Sequence, residues 1–473
     1  MMSLFKEVSL ESSNSDIALG KVGALDIRSS VILASKKVST FMGELILNGS
    51  IMTVRKSPAV LVSPESETPS GFYYLSSLDQ AIPFTIKTIY TYDKSGDNLG
   101  KIMREALAKV LVHYYPLTGS LALRPDGEFI VELTKKGVPF VEAVANCTMD
   151  VIGDIRVPNP DTTTKLIYTD PTAKTIFDVP LLTAQVTKFK CGGFTLGIGV
   201  NHSMVDGVSG MNFINSWAET TCSKPISAIP FHDRTLLRTR TPPQIMYPYD
   251  DVIDVADTSD MESYYQKEAL INWSFRFDSE KIAKIKYMAL ADGTLKNCST
   301  FAALSAFIWR ARSKALNMKP HQLTKLRIMV DFRQKLKGLP EGYFGNGVTT
   351  IGCICSNGEL TERPMSFAVE KIKNALGMVT EEYVRSKIDF TGVYKPQLSS
   401  VGTLVISSWT RLAYGCSNFG WGDPTNFGCG DMARELCVFF NEGADKNRKM
   451  VVVLALPKSV MANLEKVIEE ACK

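Results

Sequence analysis

Of the four histidines in this chain, His202 stands where chemistry is easiest to arrange. It is followed by Ser-Met-Val and then by Asp206-Gly207, and its surroundings put it at the junction of two elements. Phe194, Leu196, Ile198 and Val200 alternate with small residues, the rhythm of a half-buried strand. Beyond Gly207, the residues Val208, Met211, Ile214 and Trp217 fall at helical spacing. The chain therefore runs from strand through a tight turn into a helix. Gly207 can serve that turn by taking a positive φ or by letting another chain approach closely. A histidine leaving a rigid strand faces a cleft with little freedom to wander. That is where a general base belongs, since a neutral imidazole with an ordinary pKa near ~6.5 can accept a hydroxyl proton. Asp206 has two readings: a carboxylate that braces the turn through an arginine or backbone amides, or one that orients His202 directly. The bland alternative for His202 is a turn histidine bonded to nearby backbone.

Composition narrows the function classes. A chain of 473 residues is too long for one ordinary core, so two domains are expected. The 53 basic and 49 acidic residues nearly balance, and no basic run with interleaved aromatics points to nucleic acid. Ten scattered cysteines, of which only Cys353-Ile-Cys355 is close-set, do not make a zinc pattern and fit a reducing, cytoplasmic location. No metal site is expected. No apolar run reaches membrane-spanning length, and Glu7, Glu11, Asp16 and Asp26 argue against a transit peptide.

Along the chain, residues 1–51 read as a polar, mobile extension. Residues 52–221 form a first lobe with a strand at 84–92, a helix at 99–114 and a hairpin turn at Arg124-Pro-Asp-Gly127. A strand at 180–190 then leads by Gly192-Gly193 into the His202 strand. The proline-rich residues 222–270 read as a crossover between domains. In residues 271–473 the spacing predicts helices at 280–289 and 299–312, the second capped by Ser299 or Thr300, and another at 366–384. Strands are predicted at 326–333, 403–409 and 450–456, with tight loops at 343–347 and 418–422. Strands and helices interleave in both halves, which makes the fold class α/β with mixed sheets and flanking helices.

Two motifs together carry a resemblance. His202-Ser-Met-Val-Asp206-Gly207 and Asn418-Phe419-Gly420-Trp421-Gly422 are similar to the His-x-x-x-Asp-Gly and Asp-Phe-Gly-Trp-Gly motifs of the plant BAHD acyltransferases. Tyr74-Leu-Ser-Ser-Leu-Asp79, Tyr114-Tyr-Pro-Leu-Thr-Gly119, Ser305-Ala-Phe-Ile-Trp309-Arg and Tyr343-Phe-Gly-Asn346 match in order, so the resemblance runs from about residue 52 to the end. It implies a two-lobed, chloramphenicol acetyltransferase-like fold with an active-site channel between the lobes. It also implies a monomer that moves an acyl group from coenzyme A to an alcohol or amine, with acyl-CoA as co-substrate and no permanently bound cofactor.

The resemblance assigns further tasks. Ser407-Ser-Trp409 matches a Thr-Ser-Trp stretch of the family that approaches the thioester, so the Trp409 indole N–H is the candidate oxyanion donor and the Ser407 hydroxyl the second. The alternative for Trp409 is a core aromatic. Ser299, Thr300 and Arg333 are candidates for the CoA phosphates. The second motif departs from the family at Asn418, where Asp is usual; the loss of charge would cost about 1–3 kcal/mol if the acid had a charged partner. No Gly-x-Ser-x-Gly elbow or activated cysteine suggests a covalent intermediate, so direct transfer in a ternary complex is expected.

Residues 183–194, 161–168 and 300–312 resemble most the members of the family that move hydroxycinnamoyl groups such as feruloyl to ω-hydroxy fatty acids and fatty alcohols. The stretch 394–401 has only Lys395 where shikimate-type members carry an arginine for the acceptor carboxylate, which favours an apolar acceptor. Two alternatives stand beside this one: amide formation on an amine acceptor, and an accessory protein of lipid or wax synthesis without catalysis.

Overall fold

The alternating apolar residues before His202 form the strand Phe194–Asn201, and all eight of its residues are buried. The expectation of a half-buried strand is corrected here, because both faces of its sheet are covered. On one face, Leu196, Ile198 and Val200 join the core that holds Met211, Ile214 and Trp217. On the other, a Cβ at Gly197 would lie 2.1 Å from the carbonyl oxygen of Leu166, so the small residues of the pattern are there to admit the segment 160–167.

The computed structural model describes residues 52–252, 259–396, 402–442 and 449–473. The extension expected at 1–51 lies outside the described residues. In a seven-stranded sheet, the order is Val54–Lys56, Val138–Ala145, Leu182–Lys188, Phe194–Asn201, Thr85–Tyr92 and Asn426–Cys429, with Val60–Val62 pairing off Val138–Ala145. A six-stranded sheet runs Leu270–Phe277, Met450–Pro457, Leu436–Asn441, Thr403–Ser408, Leu323–Asp331 and Val348–Ser356. A small third sheet pairs Phe72–Tyr74 with Phe129–Glu132 and that strand with Ser120–Leu123, closing the predicted hairpin. Both larger sheets mix parallel and antiparallel neighbours.

Two hydrophobic cores share a wall. On the strands Leu436–Asn441 and Met450–Pro457, Phe439, Val452 and Leu454 face the larger core, whereas Val438, Phe440, Val451 and Val453 face the core behind His202. The period of two along a strand makes this possible, each strand giving alternate side chains to opposite sides. The strand Asn426–Cys429 goes further and adds directly to the first sheet, antiparallel to Thr85–Tyr92.

Local signals explain most elements. The helix Gly207–Thr221 starts at Asp206, whose side chain accepts from the Ser209 N–H, and it buries Met211, Ile214 and Trp217 against the helix Leu99–His113. There the Trp217 indole donates to the Met103 carbonyl at 2.9 Å. The helix predicted at 366–384 is two helices, Met365–Met378 and Glu381–Tyr394. Thr380 breaks the run: its side chain accepts from the Tyr383 N–H, and Glu381 and Glu382 follow in the first turn, where acidic residues suit the helix dipole. The crossover is also more structured than its composition suggested. It contains the turn Arg234–Leu237 and the helix Ser259–Lys267, and it is pinned to Glu381–Tyr394 by the ion pairs Arg240–Asp389 and Lys387–Asp251, both 2.7 Å.

Candidate active site

His202 leaves the strand half-buried. Its backbone N–H donates to the Phe84 carbonyl at 2.7 Å, and its own carbonyl accepts from Asn346 Nδ2 at 2.8 Å. The ring meets the Phe84 ring edge to face, with centroids 5.4 Å apart, and Phe84 is itself 53% exposed. Nδ1 is shut off from solvent and has no hydrogen-bond partner among the described residues. An orphaned polar atom on a half-exposed imidazole is unusual in a structural histidine and fits one that awaits a substrate.

The turn after His202 rests on two buried carboxylates. Asp206 Oδ1 accepts from Ser209 N–H and Arg333 Nη2, each at 2.9 Å, and Oδ2 accepts from Arg333 Nη1 and Gly347 N–H, each at 2.8 Å. Burial by itself would raise the Asp206 carboxyl, but the guanidinium and the two backbone amides outweigh it and hold the group below its usual range. None of these partners is His202. Arg333, expected at the CoA phosphates, is instead turned inward: besides Asp206 it donates to Ser209 Oγ, the Gly345 carbonyl and Asp331.

The second carboxylate is Asp79, which is fully buried. It accepts from Arg234 Nη1 at 3.0 Å, from Ser76 N–H at 2.8 Å and from Asn346 Nδ2 at 2.7 Å. Arg234 carries the connection onward, donating to the carbonyls of Ser203 at 2.7 Å and Met204 at 2.6 Å. Asp79, Arg234 and Asn346 were not singled out from the sequence as site residues. Asp79 and Asn346 did end two of the lesser matching stretches, which was a usable signal; Arg234, in the proline-rich crossover, had none.

Gly207 does not need its conformational freedom, since it is absent from the positive-φ residues; a Cβ there would instead lie 3.2 Å from the Leu412 side chain. That contact brings the segment after Trp409 onto the start of the helix Gly207–Thr221, where Asn215 Nδ2 also donates to the Ala413 carbonyl at 3.4 Å. The two oxyanion candidates lie just before this segment and bond to each other, Trp409 Nε1 donating to Ser407 Oγ at 3.2 Å. The Trp409 ring is half-buried and stacks on Phe427 with centroids 5.2 Å apart. Ser299 caps the helix Thr300–Ala315 by accepting from the Ala302 N–H, and Thr300 is half-buried at its first position.

The second motif is a self-contained loop. Asn418 Oδ1 accepts from the N–H groups of Gly420 at 2.8 Å and Gly422 at 3.3 Å, while Nδ2 donates to Asp423 at 3.1 Å. Both glycines have positive φ, +101° and +107°, which the turn requires. Phe419 is buried against Tyr92 and Trp217, and Trp421 meets Phe194 edge to face. The side-chain partner of Asn418 is thus an acid, which an amide can satisfy and a second carboxylate cannot. Of the stretch bearing on the acceptor, 394–396 is described and 397–401 lies outside the described residues.

Comparison with known proteins bears directly on this site. The model of the transferase family, to which the BAHD acyltransferases belong, matches residues 52–471. The chain belongs to this family. It is therefore a CoA-dependent acyltransferase, which sets aside the reading of an accessory protein without catalysis. It is 45% identical to the omega-hydroxypalmitate O-feruloyl transferase of Arabidopsis thaliana, over 86% of this chain and 90% of that one. It is 42% identical to the fatty alcohol:caffeoyl-CoA acyltransferase of the same plant, over 87% and 96%. Shikimate O-hydroxycinnamoyltransferase of Nicotiana tabacum is more distant, at 32% over 88% and 99%. Among solved structures, vinorine synthase superposes with a TM-score of 0.69 at 21% identity, over 89% of this chain and all of that one. This shows that the fold is the expected two-lobed acyltransferase fold. Among the described residues, no helix is long and apolar enough to cross a membrane.

Proposed function

We propose that this BAHD acyltransferase moves a hydroxycinnamoyl group, feruloyl being the leading candidate, from coenzyme A to the hydroxyl of a long-chain acceptor, with His202 as general base. The observation that carries the assignment of His202 is its setting: a half-exposed imidazole with one nitrogen unpartnered among the described residues, on a backbone fixed by hydrogen bonds on both sides. The two relatives above 40% identity, named for omega-hydroxypalmitate and fatty alcohols, support the acceptor class.

A thioester is already activated, so the chemistry asks for little. The neutral imidazole takes the acceptor's hydroxyl proton as the oxygen attacks the thioester carbonyl. The tetrahedral intermediate then collapses, breaking the carbon–sulfur bond, and the imidazolium returns the proton to the departing thiolate. General-base help of this kind is worth typically ~10²–10⁴-fold, and positioning adds more. Negative charge on the carbonyl oxygen is met by the Trp409 N–H, with the Ser407 hydroxyl as second donor. Asp206 serves this scheme as a brace through Arg333 and leaves the proton transfer to His202. Ser299 and Thr300 remain our candidates for a CoA phosphate. We further place the enzyme, as a monomer of two lobes (52–221 and 271–473, joined by 222–270), in the cytoplasm; its ten unpaired cysteines support a reducing compartment.

An amine acceptor is the second reading. It is favoured by 33% identity, over 88% of this chain, to a hydroxycinnamoyl-CoA:5-hydroxyanthranilate N-hydroxycinnamoyltransferase of Avena sativa. One assay separates the two. Purified enzyme given feruloyl-CoA with 16-hydroxyhexadecanoate, hexadecanol, tyramine, piperidine and shikimate in competition should yield the long-chain esters as the main products by mass spectrometry. Predominant amide, or predominant shikimate ester, would overturn the acceptor assignment.

A further inference from the structure

Most positioned histidines are steered through the ring, by a carboxylate or carbonyl on one nitrogen that fixes the tautomer and the angle. Among the described residues His202 has no such partner: its Nδ1 is buried and unbonded, and its ring touches the Phe84 ring edge to face. Its backbone is held from every side instead. The N–H is tied to Phe84, and the three successive carbonyls of His202, Ser203 and Met204 all end on one buried cluster formed by Asp79, Arg234 and Asn346. Ser203 Oγ adds a fourth tie, to the Asp79 carbonyl at 2.8 Å.

Asn346 is the member of that cluster that reaches His202 itself. It is 3% exposed, and its Nδ2 divides its two hydrogens between the His202 carbonyl and Asp79 Oδ1. Its backbone N–H donates to the same carboxylate oxygen at 3.2 Å. Asp79 thereby fixes which way the carboxamide points, and Arg234 pairs with Asp79 at 3.0 Å, both side chains fully buried. Rotating the His202 peptide would leave a buried donor without its acceptor, a cost of about 1–3 kcal/mol.

We propose that Asn346 is a positioning residue for the acyl transfer: it sets the angle of the His202 imidazole through the backbone carbonyl, with Asp79 and Arg234 holding Asn346 in place. This rests on His202 being the base. Its consequence is kinetic. Asn346→Ala lowers kcat about 10- to 100-fold, because a misplacement of about 1 Å near reacting atoms costs on that order. The KM for feruloyl-CoA stays within about twofold, since no thioester contact is assigned to Asn346.

A double-mutant cycle tests the proposal on the full chain, with feruloyl-CoA and 16-hydroxyhexadecanoate. Asn346→Ala is expected to cost its full factor in the wild type and less than about twofold in a His202→Ala background, where no imidazole remains to be positioned. An equal loss in both backgrounds, or an unchanged kcat in Asn346→Ala alone, overturns it. Ser386→Ala is the folding control; this buried hydroxyl accepts from Met246 N–H and bonds to the Tyr249 hydroxyl, far from His202 in the sequence, and its loss should lower thermal stability without a background-dependent rate effect. Should Asn346→Ala fail to fold, Ser203→Ala removes only the tie to the Asp79 carbonyl and carries the same cycle with a smaller factor. The two layers fail separately. Wild-type turnover in His202→Ala sinks the base itself, whereas an inactive His202→Ala beside a fully active Asn346→Ala sinks only the positioning role.

Discussion

The two motif turns of this enzyme are built by opposite means. The turn 202–207 is short, contains no positive-φ glycine, and is held by two ion pairs with buried carboxylates, Asp206–Arg333 and Asp79–Arg234, that reach into distant parts of the chain. The loop 418–422 closes on itself through one uncharged carboxamide and two positive-φ glycines, with Phe419 as its anchor in the core. A turn that must hold a base to within fractions of an ångström is tied to rigid elements by buried charge. A loop that needs only to keep its own shape uses an amide. Geometry at the first turn is thus a property of the whole fold, and geometry at the second is local.

This contrast can be broken most forcefully at Asp206. Asp206→Asn leaves the partly buried Arg333 with Asp331 as its one remaining carboxylate partner among the described residues, and we expect a loss of about 1–3 kcal/mol at neutral pH, read by urea unfolding. The pH dependence has a definite sign. Because the folded carboxyl lies below its ordinary value of about 3.9, its contribution is complete above that pH and disappears as pH falls through the folded value. The gap between wild type and Asp206→Asn should therefore narrow below about pH 4. A gap that stays constant to pH 3 would mean that the ion pair does not carry the stability.

At the second loop the expected effects are smaller and spare the chemistry. Asn418→Ala strands the Gly420 and Gly422 amides on a partly exposed turn, a loss of about 1–2 kcal/mol, with kcat kept within about threefold. A loss of turnover as deep as that of a His202 variant would show that this loop shapes the reacting site after all. Asn418→Asp sharpens the comparison further. It restores the residue usual in the family but sets a carboxylate against Asp423. The predicted result is a destabilisation below about 1 kcal/mol that shrinks as salt is added. Stabilisation instead would show that the Asn418–Asp423 contact does not govern the loop.

How much of this was legible beforehand follows the same divide between local and long-range order. The strand–turn–helix around His202 could be read because its period changes from two to about 3.6 within one stretch. The loop at 418–422 could be read because its glycines announce the turn. The cluster behind His202 could not. Asp79 and Arg234 are 155 residues apart, and Asp79 and Asn346 are 267 apart, so no local pattern connects them. Arg333 shows the limit from the other side: a basic residue in the second half of an acyl-CoA enzyme invites a phosphate, and only the fold reveals that Asp206 claims it. Asn426–Cys429 escaped for a related reason, since four residues become a strand only because Thr85–Tyr92 offers an open edge. The helix Lys458–Cys472, by contrast, was legible in principle, with Val460, Met461, Leu464 and Ile468 at helical spacing.

The central claim is that one imidazole, pre-set by the fold, does the proton work. Its most direct test is the single-turnover rate of feruloyl transfer to 16-hydroxyhexadecanoate by His202→Ala, compared with the wild type under saturating feruloyl-CoA. The account predicts a fall of about 10²–10⁴-fold in a variant that remains folded and still binds coenzyme A. A folded His202→Ala whose rate stays within a few-fold of the wild type would contradict it.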